Sequence, residues 1–209
     1  MRILTVDDHA VVRNGVKQIF EGSRDTATFG EASNAQEACA LVREQNWDVV
    51  VLDITLGDRS GIEVMKELKY IRPKLPVLIL SMHSEAQFAR RAFKAGAAGY
   101  ITKDSLPDEL ARAITKVAKG EKYVSPGLAE LLVMDLDESP DKALHERLSD
   151  REFEVMCLIA SGKTVSEIAD ALSRSVKTIS TYRARILEKM RMRTNAELTH
   201  YVIQNKLVE

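Results

Sequence analysis

Residues 48–54 have the sequence DVVVLDI, in which four consecutive apolar residues lead into the carboxylate of Asp53. An uninterrupted apolar run of this kind is typical of a central strand that helices cover on both faces. Other short apolar runs alternate with longer amphipathic segments over the first 120 residues. The predicted strands are Ile3–Val6, Thr26–Glu31, Asp48–Leu52, Val77–Leu80 and Gly99–Ile101. The alternation predicts an α/β domain with a doubly wound, five-stranded parallel sheet.

Capping pairs mark where the helices begin. In the first part of the chain Asn34 precedes Glu37, and Ser60 precedes Glu63, each by three residues. The pattern weakens after residue 120, where Ser125-Pro126-Gly127 breaks the chain and a short helix over Leu128–Leu136 is possible. Beyond it, three capping pairs and a fourth capping serine predict four short helices; these are Ser149 with Glu152, Thr164 with Glu167, Thr194 with Glu197, and Ser175. We therefore predict a domain over 1–120, a linker over 121–144 and a small all-α domain over 145–209.

Composition excludes several classes of protein. The 209 residues are 45% hydrophobic and 29% charged, a mixture typical of globular domains. The apolar runs are far shorter than the ~20 residues that cross a bilayer, so no membrane association is expected. Cys39 and Cys157 each lie in an apolar helical pattern, which favours two buried free thiols over a disulfide. The start MRILTVDDHA does not resemble a secretory signal, so we expect a cytoplasmic protein.

Three carboxylates stand at predicted strand ends, Asp7 and Asp8 after the first strand and Asp53 after the third. These strands are neighbours in a doubly wound sheet, so the carboxylates would converge and repel one another unless a cation lay among them. An all-oxygen site suits Mg²⁺. The alternative is that Asp7 and Asp8 only cap the helix that begins near His9.

Two further polar residues follow the later strands, Ser81 after the fourth and Lys103 after the fifth. Singly, each is an unremarkable surface residue. Together with the carboxylates and a divalent cation, they supply what is needed to accept and hold a phosphoryl group. Asp53 would attack phosphorus, and Mg²⁺ with Lys103 would neutralise the oxygens.

The motifs at these strand ends resemble the receiver domain of two-component response regulators; they are VDDH (6–9), VVVLDI (49–54), LILSMHS (78–84) and GYITKD (99–104). The resemblance implies a flavodoxin-like fold in which Asp53 is the phosphoacceptor. It implies Mg²⁺ ligands from Asp8, Asp53 and the backbone carbonyl of Thr55, with Asp7 helping through water. It further implies that Ser81 and Tyr100 are switch residues and that Lys103 is the charge partner of the phosphoryl group.

The same resemblance implies that the phosphodonor is a sensor histidine kinase or a phosphotransfer protein. Such a chain is not an enzyme in the ordinary sense, although the receiver catalyses its own phosphorylation and dephosphorylation. Gly57 and Asp104 stand where many receivers have proline, which removes no chemical group.

An enzyme and a nucleotide-binding protein are the two alternatives to this interpretation. Haloacid-dehalogenase-like phosphatases also use an aspartate nucleophile with Mg²⁺, but they need a second acid two residues later, where this chain has Thr55. A nucleotide-binding protein would need a glycine-rich loop after the first strand, and none follows it.

The C-terminal part is basic, with 11 Lys/Arg against nine Asp/Glu (net +2) over 145–209. Residues 148–190, LSDREFEVMCLIASGKTVSEIADALSRSVKTISTYRARILEKM, resemble the LuxR/NarL-type helix-turn-helix. The resemblance identifies the chain as a NarL/FixJ-type regulator whose partner is double-stranded DNA. A helical protein-binding domain with a solvated basic face is the alternative that composition alone leaves open.

The helix predicted over Val176–Met190 has an apolar stripe and an opposite polar face. Ile179, Ile186, Leu187 and Met190 form the stripe, with Tyr182 at its edge. The open face predicts direct DNA contacts from Lys177, Ser180, Thr181, Ala184 and Arg185. The remaining basic residues are expected at phosphates or in solvent; they are Arg183, Lys189, Arg191 and Arg193. In the resembling family, position 180 is often lysine and position 182 often histidine.

The last helix, about Asn195–Asn205, is apolar on more than one side. In the resembling family this helix pairs two DNA-binding domains, which makes Leu198, Tyr201 and Val202 candidate dimerisation residues. Ordinary packing on the bundle is the alternative. The resulting hypothesis is that phosphorylation of Asp53 promotes a homodimer, release of the DNA-binding domain, or both. The four histidines show no metal-ligand spacing and are expected to be structural or exposed.

Overall fold

The computed structural model describes residues 1–20, 27–57, 59–83, 85–125, 127–129, 143–205 and 207–208. The chain forms two compact units, Met1–Leu132 and Val133–Glu209. Most of the predicted linker, including residues 130–136 of the helix proposed over Leu128–Leu136, lies outside the described residues. Within the described parts of the chain, no helix has the length and apolar character needed to cross a membrane.

The first unit alternates strands and helices, as the sequence predicts. Its strands are β1 (Arg2–Val6), β2 (Thr28–Ala32), β3 (Val49–Asp53), β4 (Thr55–Leu56), β5 (Arg59–Ser60), β6 (Val77–Ser81) and β7 (Gly99–Thr102). Its helices are α1 (Ala10–Phe20), α2 (Ala35–Glu44), α3 (Gly61–Ile71), α4 (Glu85–Lys94) and α5 (Pro107–Ala118). β4 and β5 form a two-stranded antiparallel hairpin that the sequence pattern did not predict.

The other five strands form one parallel sheet in the order β2-β1-β3-β6-β7. All five residues of β3 are buried, as expected for a central strand with both faces covered. The order reverses between β1 and β3, so the crevice beyond their carboxyl ends is where a doubly wound sheet forms its site. The doubly wound sheet is therefore confirmed.

The first segment of the predicted linker contacts the sheet. Tyr123 pairs with Gly99 in an isolated parallel bridge, and its hydroxyl donates to Glu109 at 2.8 Å. Leu128 is buried. The predicted domain bounds remain a prediction, while Tyr123 and Leu128 belong to the first unit.

The second unit is helical. A 3₁₀ turn (Leu144–Arg147) precedes α6 (Asp150–Ala160), α7 (Val165–Ala171), α8 (Val176–Met190) and α9 (Asn195–Gln204). Capping boxes are complete at Ser149 and Thr164, while Thr194 accepts from the backbone of Glu197. The predicted turn between α7 and α8 contains Ser173 at a positive φ of 50°. Both cysteines are buried and neither forms a disulfide, as expected.

Candidate functional site

Three carboxylates meet at the carboxyl edge of the sheet, at the point where its strand order reverses. Asp7 and Asp8 directly follow β1, Asp53 ends β3, and the two strands pair side by side. One carboxylate oxygen from each lies within 4.8 Å of the others. Asp7 and Asp53 are buried, at 1% and 2% exposure, whereas Asp8 is exposed. The sequence-predicted cluster is therefore assembled in the structure.

Lys103 reaches this cluster from the end of β7. Its Nζ lies 2.7 Å from Oδ2 of Asp53, to which it donates a hydrogen bond, and 2.7 Å from Oδ2 of Asp7. Only 10% of the lysine side chain is exposed. One ammonium thus bridges two buried carboxylates, which places a positive charge where the predicted chemistry needs one.

The protonation of Asp53 is strongly perturbed. Burial, and next the charge of Asp7, raise the pKa of Asp53 from 3.8 to about 6, although Lys103 and the Thr55 backbone act in the opposite direction. Burial by itself would lower the pKa of Lys103, but Asp53 and Asp7 outweigh it and the net pKa is raised. A neutral-pH carboxylate is therefore held in an unfavourable environment, as is common at functional sites.

The other predicted residues of this site border the cluster. Thr55 donates its backbone N–H to Oδ1 of Asp53 at 3.0 Å. Ser81 is fully buried at the end of β6, and its Oγ accepts the N–H of His83 at 3.0 Å. Tyr100 is also fully buried, and its hydroxyl donates to the carbonyl oxygen of His83 at 2.9 Å. Both switch candidates therefore contact one loop segment, residues 82–83.

His9 is exposed, as expected, and it also lies within the carboxylate cluster. Its Nδ1 lies 2.7 Å from Oδ1 of Asp8 and 3.2 Å from Oδ1 of Asp7. The spacing among the four histidines carries no such signal, whereas a histidine directly beside two carboxylates at a strand end does. His9 is thus a site residue that sequence reasoning missed.

The donor set is suited to a hard divalent cation. Carboxylate oxygens from two neighbouring strands converge, and Oδ2 of Asp7 is buried without accepting a well-directed hydrogen bond from the described residues. Mg²⁺ prefers such oxygen ligands, together with water. The exposure of Asp8 leaves a side of the cluster open to solvent.

In the second unit, α8 has two distinct faces. Ile179, Ile186 and Met190 are buried at 0%, 0% and 1% exposure. The five predicted DNA contacts all lie on the exposed face; they are Lys177, Ser180, Thr181, Ala184 and Arg185. The hydroxyl of Thr181 donates back to the carbonyl oxygen of Lys177 at 2.9 Å. Three residues of the predicted core stripe are thus buried and the fourth, Leu187, is half-buried, while the opposite face is exposed.

Two basic residues of α8 have partners inside the unit. Nε of Arg183 donates to Oδ1 of Asn195 at 2.7 Å, and Nζ of Lys189 donates to the buried carboxylate of Glu152 at 2.6 Å. These contacts fix α8 to α9 and α6. Arg183 and Lys189 were expected at phosphates or in solvent. Arg183 is half-buried beside its partner, whereas Lys189 remains exposed, as expected, while it pairs with Glu152.

The dimerisation candidates on α9 need correction. Leu198 and Val202 are fully buried in the unit's own core, so neither side chain has surface to offer a partner. Tyr201 is half-buried and its hydroxyl forms a hydrogen bond with Nδ1 of His145 at 3.0 Å. Ile203, at 59% exposure, is the large apolar residue that α9 presents to solvent.

Comparison with known families matches both units. Residues 3–115 match the family described as response regulator receiver domain, and residues 146–202 match bacterial regulatory proteins, luxR family. The response regulator UvrY of Escherichia coli K12 is 31% identical over 208 residues, covering 99% of this chain and 95% of UvrY. The response regulator GacA of Pseudomonas aeruginosa is 31% identical over 210 residues, covering 100% of this chain and 98% of GacA.

Solved structures give the same correspondence. RcsB from Salmonella enterica serovar Typhimurium, bound to a promoter in the presence of the phosphomimetic BeF₃⁻, is 26% identical and covers 98% of both chains, with a TM-score of 0.65. A LuxR-family two-component response regulator from Aurantimonas sp. SI85-9A1 is 39% identical, with a TM-score of 0.60. It covers 66% of this chain and 98% of its own.

Proposed function

Since the chain belongs to the two-component response regulators of the NarL/FixJ type, in which a receiver domain is joined to a LuxR-type helix-turn-helix domain, we propose that Asp53 is its phosphoacceptor and that phosphorylation controls its binding to promoter DNA. The observation that carries the proposal is the buried Asp53 carboxylate, held 2.7 Å from the Lys103 ammonium beside Asp7 and Asp8.

The reaction assigned to this site is a phosphoryl transfer. A carboxylate oxygen of Asp53 forms a bond to phosphorus while the bond from phosphorus to the donor's imidazole nitrogen breaks, and the imidazole leaves. The donor is a phosphohistidine on a sensor kinase or a phosphotransfer protein. Lys103 neutralises charge on the transferred group. The receiver catalyses this transfer to itself, and the later hydrolysis, without turning over a separate substrate.

Asp8, Asp53 and the backbone carbonyl of Thr55 would hold Mg²⁺, with Asp7 acting through water. When bound, Mg²⁺ supplies positive charge to the phosphoryl oxygens. The convergence of carboxylate oxygens at this edge supports the assignment. The Lys103 ammonium lies beside two of these carboxylates, those of Asp7 and Asp53.

Phosphorylation would be transmitted through Ser81 and Tyr100. The Ser81 hydroxyl oxygen accepts a hydrogen bond from the His83 N–H. The phosphoryl group would offer a charged acceptor to the proton of the same hydroxyl. Movement of Ser81 toward that group would disturb residues 82–83, to which the Tyr100 hydroxyl is bonded. Coupling requires only that the phosphorylated conformation also be the one that DNA or a second subunit prefers.

The exposed face of α8 is assigned to the major groove, with Lys177, Ser180, Thr181, Ala184 and Arg185 as the contact residues. The regulator would bind DNA as a homodimer when phosphorylated, which places two recognition helices on half-sites about 34 Å apart. A cytoplasmic location is part of the proposal, because the protein must reach chromosomal DNA. The assigned domain bounds are 1–120 for the receiver, 121–144 for the linker and 145–209 for the DNA-binding domain.

The test uses wild type, Asp53→Asn and Asp104→Asn with Mg²⁺ and the small phosphodonor phosphoramidate. Asp104 is exposed beside Lys103, so its substitution removes the same charge from the same neighbourhood. We expect wild type and Asp104→Asn to gain one phosphoryl group by intact mass and to shift from monomer to dimer in sedimentation velocity. Asp53→Asn should do neither. Phosphorylation of Asp53→Asn at the wild-type rate would overturn the acceptor assignment.

A further inference from the structure

His9 is placed to contact any cation that the carboxylates hold. Its Nδ1 and one oxygen each from Asp7, Asp8 and Asp53 all lie within 4.8 Å of one another. The backbone N–H of His9 donates to Oδ1 of Asp7 at 2.8 Å, which fixes the main chain of this residue against the cluster. The imidazole is 68% exposed, so the ring can adjust without disturbing the core.

The distances are compatible with ligation. Nδ1 of His9 lies 2.7 Å from Oδ1 of Asp8 and 3.2 Å from Oδ1 of Asp7. Metal–nitrogen and metal–oxygen bonds of about 2 Å place neighbouring ligand atoms roughly 3 Å apart around an ion. A cation could therefore be accommodated between the imidazole and the carboxylates with small movements of an exposed ring.

The nitrogen changes the chemistry of the site. Mg²⁺ prefers oxygen and retains its waters, so it gains little from an imidazole. Zn²⁺ and neighbouring transition-metal cations accept imidazole and carboxylate together. A cluster with three carboxylates and one imidazole therefore discriminates between the two classes of cation through the nitrogen.

We propose that His9 is a fourth ligand of this site and that it allows the receiver to bind Zn²⁺ more tightly than the carboxylates alone would allow, with little effect on Mg²⁺. The inference rests on the proposed function, because it uses the carboxylates assigned to Mg²⁺. Zn²⁺ bound in this way competes with Mg²⁺ for the same carboxylates.

A purely positioning role for His9 makes a different prediction. If the imidazole only held Asp8 in place, its loss would weaken every cation that Asp8 binds. If His9 is itself a ligand, its loss should weaken only the binding of those cations that accept nitrogen ligands. The two roles are therefore separated by comparing Mg²⁺ and Zn²⁺ on the same variants.

The experiment is isothermal titration of the full chain with MgCl₂ and with ZnCl₂, on wild type, His9→Ala and His200→Ala. His200 is an exposed histidine of α9 and controls for adventitious binding of Zn²⁺ to a surface imidazole. We expect His9→Ala to weaken Zn²⁺ at least about tenfold and Mg²⁺ less than about twofold. His200→Ala should leave both affinities for the cluster unchanged.

Long-range ¹H–¹⁵N correlation spectra of the imidazoles provide a second readout. Zn²⁺ should shift a ring nitrogen of His9, and Mg²⁺ should leave both nitrogens in place. Equal losses for the two cations in His9→Ala, or an unchanged Zn²⁺ affinity, would overturn the proposal. Failure of wild type to bind Mg²⁺ would count against the proposed cofactor, and the Zn²⁺ comparison would still decide the role of His9.

Discussion

The ammonium of Lys103 lies 2.7 Å from Oδ2 of Asp53, and this contact joins the last strand of the sheet to the central one. This ion pair only partly offsets the cost of burying the charged Asp53 carboxylate. Burial and the neighbouring Asp7 still raise the pKa of Asp53 to about 6. The acceptor carboxylate is thus ionised at neutral pH in surroundings that favour its neutral form, and a cation or a phosphoryl group changes that balance.

The first prediction is that Asp53→Asn stabilises the metal-free protein at neutral pH. A carboxyl group whose pKa is higher in the folded than in the unfolded chain binds more protons when folded. The free energy of unfolding therefore falls as the pH rises from about 4 to about 6. A rise from 3.8 to about 6 corresponds to roughly 3 kcal/mol at most. We expect Asp53→Asn to gain about 1–3 kcal/mol over wild type above pH 6.

Urea unfolding in EDTA at about pH 4 and about pH 7.5 measures this gain. The difference between variant and wild type should be small at the lower pH and reach its full size at the higher one. Asp104→Asn, an exposed substitution nearby, should show no such pH dependence. An Asp53→Asn protein that is less stable than wild type at neutral pH would contradict the assigned balance of burial and charge.

The second prediction concerns the cation. Adding Mg²⁺ should stabilise the wild-type receiver, by about 2.7 kcal/mol when its concentration is a hundred times the dissociation constant. The effect should disappear on adding EDTA. Asp8→Asn removes a proposed ligand and should lose most of the stabilisation, while Asp104→Asn should keep it. Differential scanning calorimetry gives the comparison, and equal stabilisation of Asp8→Asn and wild type would exclude Asp8 as a ligand.

The third prediction concerns the backbone behind the acceptor. A Cβ on Gly61 would lie 2.0 Å from the carbonyl oxygen of Asp53 and 2.7 Å from Cα of Ile54. Both atoms are main chain, so relief requires displacement of the segment that holds the acceptor. We expect Gly61→Ala to destabilise the receiver by about 2 kcal/mol or more and to weaken Mg²⁺ binding.

Gly15→Ala is the matched control, because a Cβ at this helical position has no atom within 4 Å. Alanine is favoured over glycine in a helix, so this variant should gain about 0.5–1 kcal/mol. Chemical denaturation of both variants measures the contrast. If Gly61→Ala were as stable as wild type, the close approach to Asp53 would have no role in forming the site.

Most of the secondary structure could be predicted, because strands and helices leave hydrophobic patterns within a few consecutive residues. The apolar run over Val49–Leu52 marked the central strand, and Val176–Met190 was placed to the residue. The hairpin of β4 and β5 was missed because two-residue strands have no periodicity to detect. β2 ends one residue beyond its predicted end, at Ala32, since propensity does not fix where pairing stops.

Site residues at strand ends were predicted, because the end of a strand can be located from the local sequence. Contacts between residues far apart in the sequence were not predicted. Asp7, Asp53 and Lys103 followed from strand ends alone. The internal contacts of Arg183 and Lys189 were not predicted, because their partners, Asn195 and Glu152, lie 12 and 37 residues away. Leu198 and Val202 show the same limit, because an apolar helix position looks alike whether it faces its own core or another subunit.

The fourth prediction concerns the end of α8. Arg191 caps this helix with a φ of 56° and a ψ of 39°, the left-handed conformation that favours glycine. Side chains with a Cβ pay roughly 1–2 kcal/mol there. We expect Arg191→Gly to raise the stability of the DNA-binding domain by about 1 kcal/mol. Arg191→Ala removes the same charge and keeps the Cβ, so its unfolding midpoint should stay close to that of wild type. Equal unfolding midpoints for Arg191→Gly and Arg191→Ala would contradict the backbone strain assigned to this position.

The fifth prediction separates two arginines of α8 that lie only two residues apart in the sequence. Arg185 is exposed on the face assigned to DNA, whereas Nε of Arg183 is held by Asn195 at 2.7 Å. Arg185→Ala and Lys177→Ala should each weaken binding by about 1–3 kcal/mol where the side chain contacts a base. Where it contacts a phosphate instead, the slope of log K against log salt should fall by about 0.9.

Arg183→Ala should act mainly on stability, since it removes a hydrogen bond worth about 1 kcal/mol between α8 and α9. Fluorescence anisotropy measures affinity and slope together, on beryllofluoride-treated protein over a range of salt concentrations. The duplex is one that wild type selects from a random-sequence pool, so that base contacts contribute to the affinity. Urea unfolding of the same variants measures stability. If Arg183→Ala left the stability unchanged and reduced the salt slope, Arg183 would be a phosphate contact and not a residue that holds α8 to α9. The hydrogen bond with Asn195 would then have to break when DNA binds.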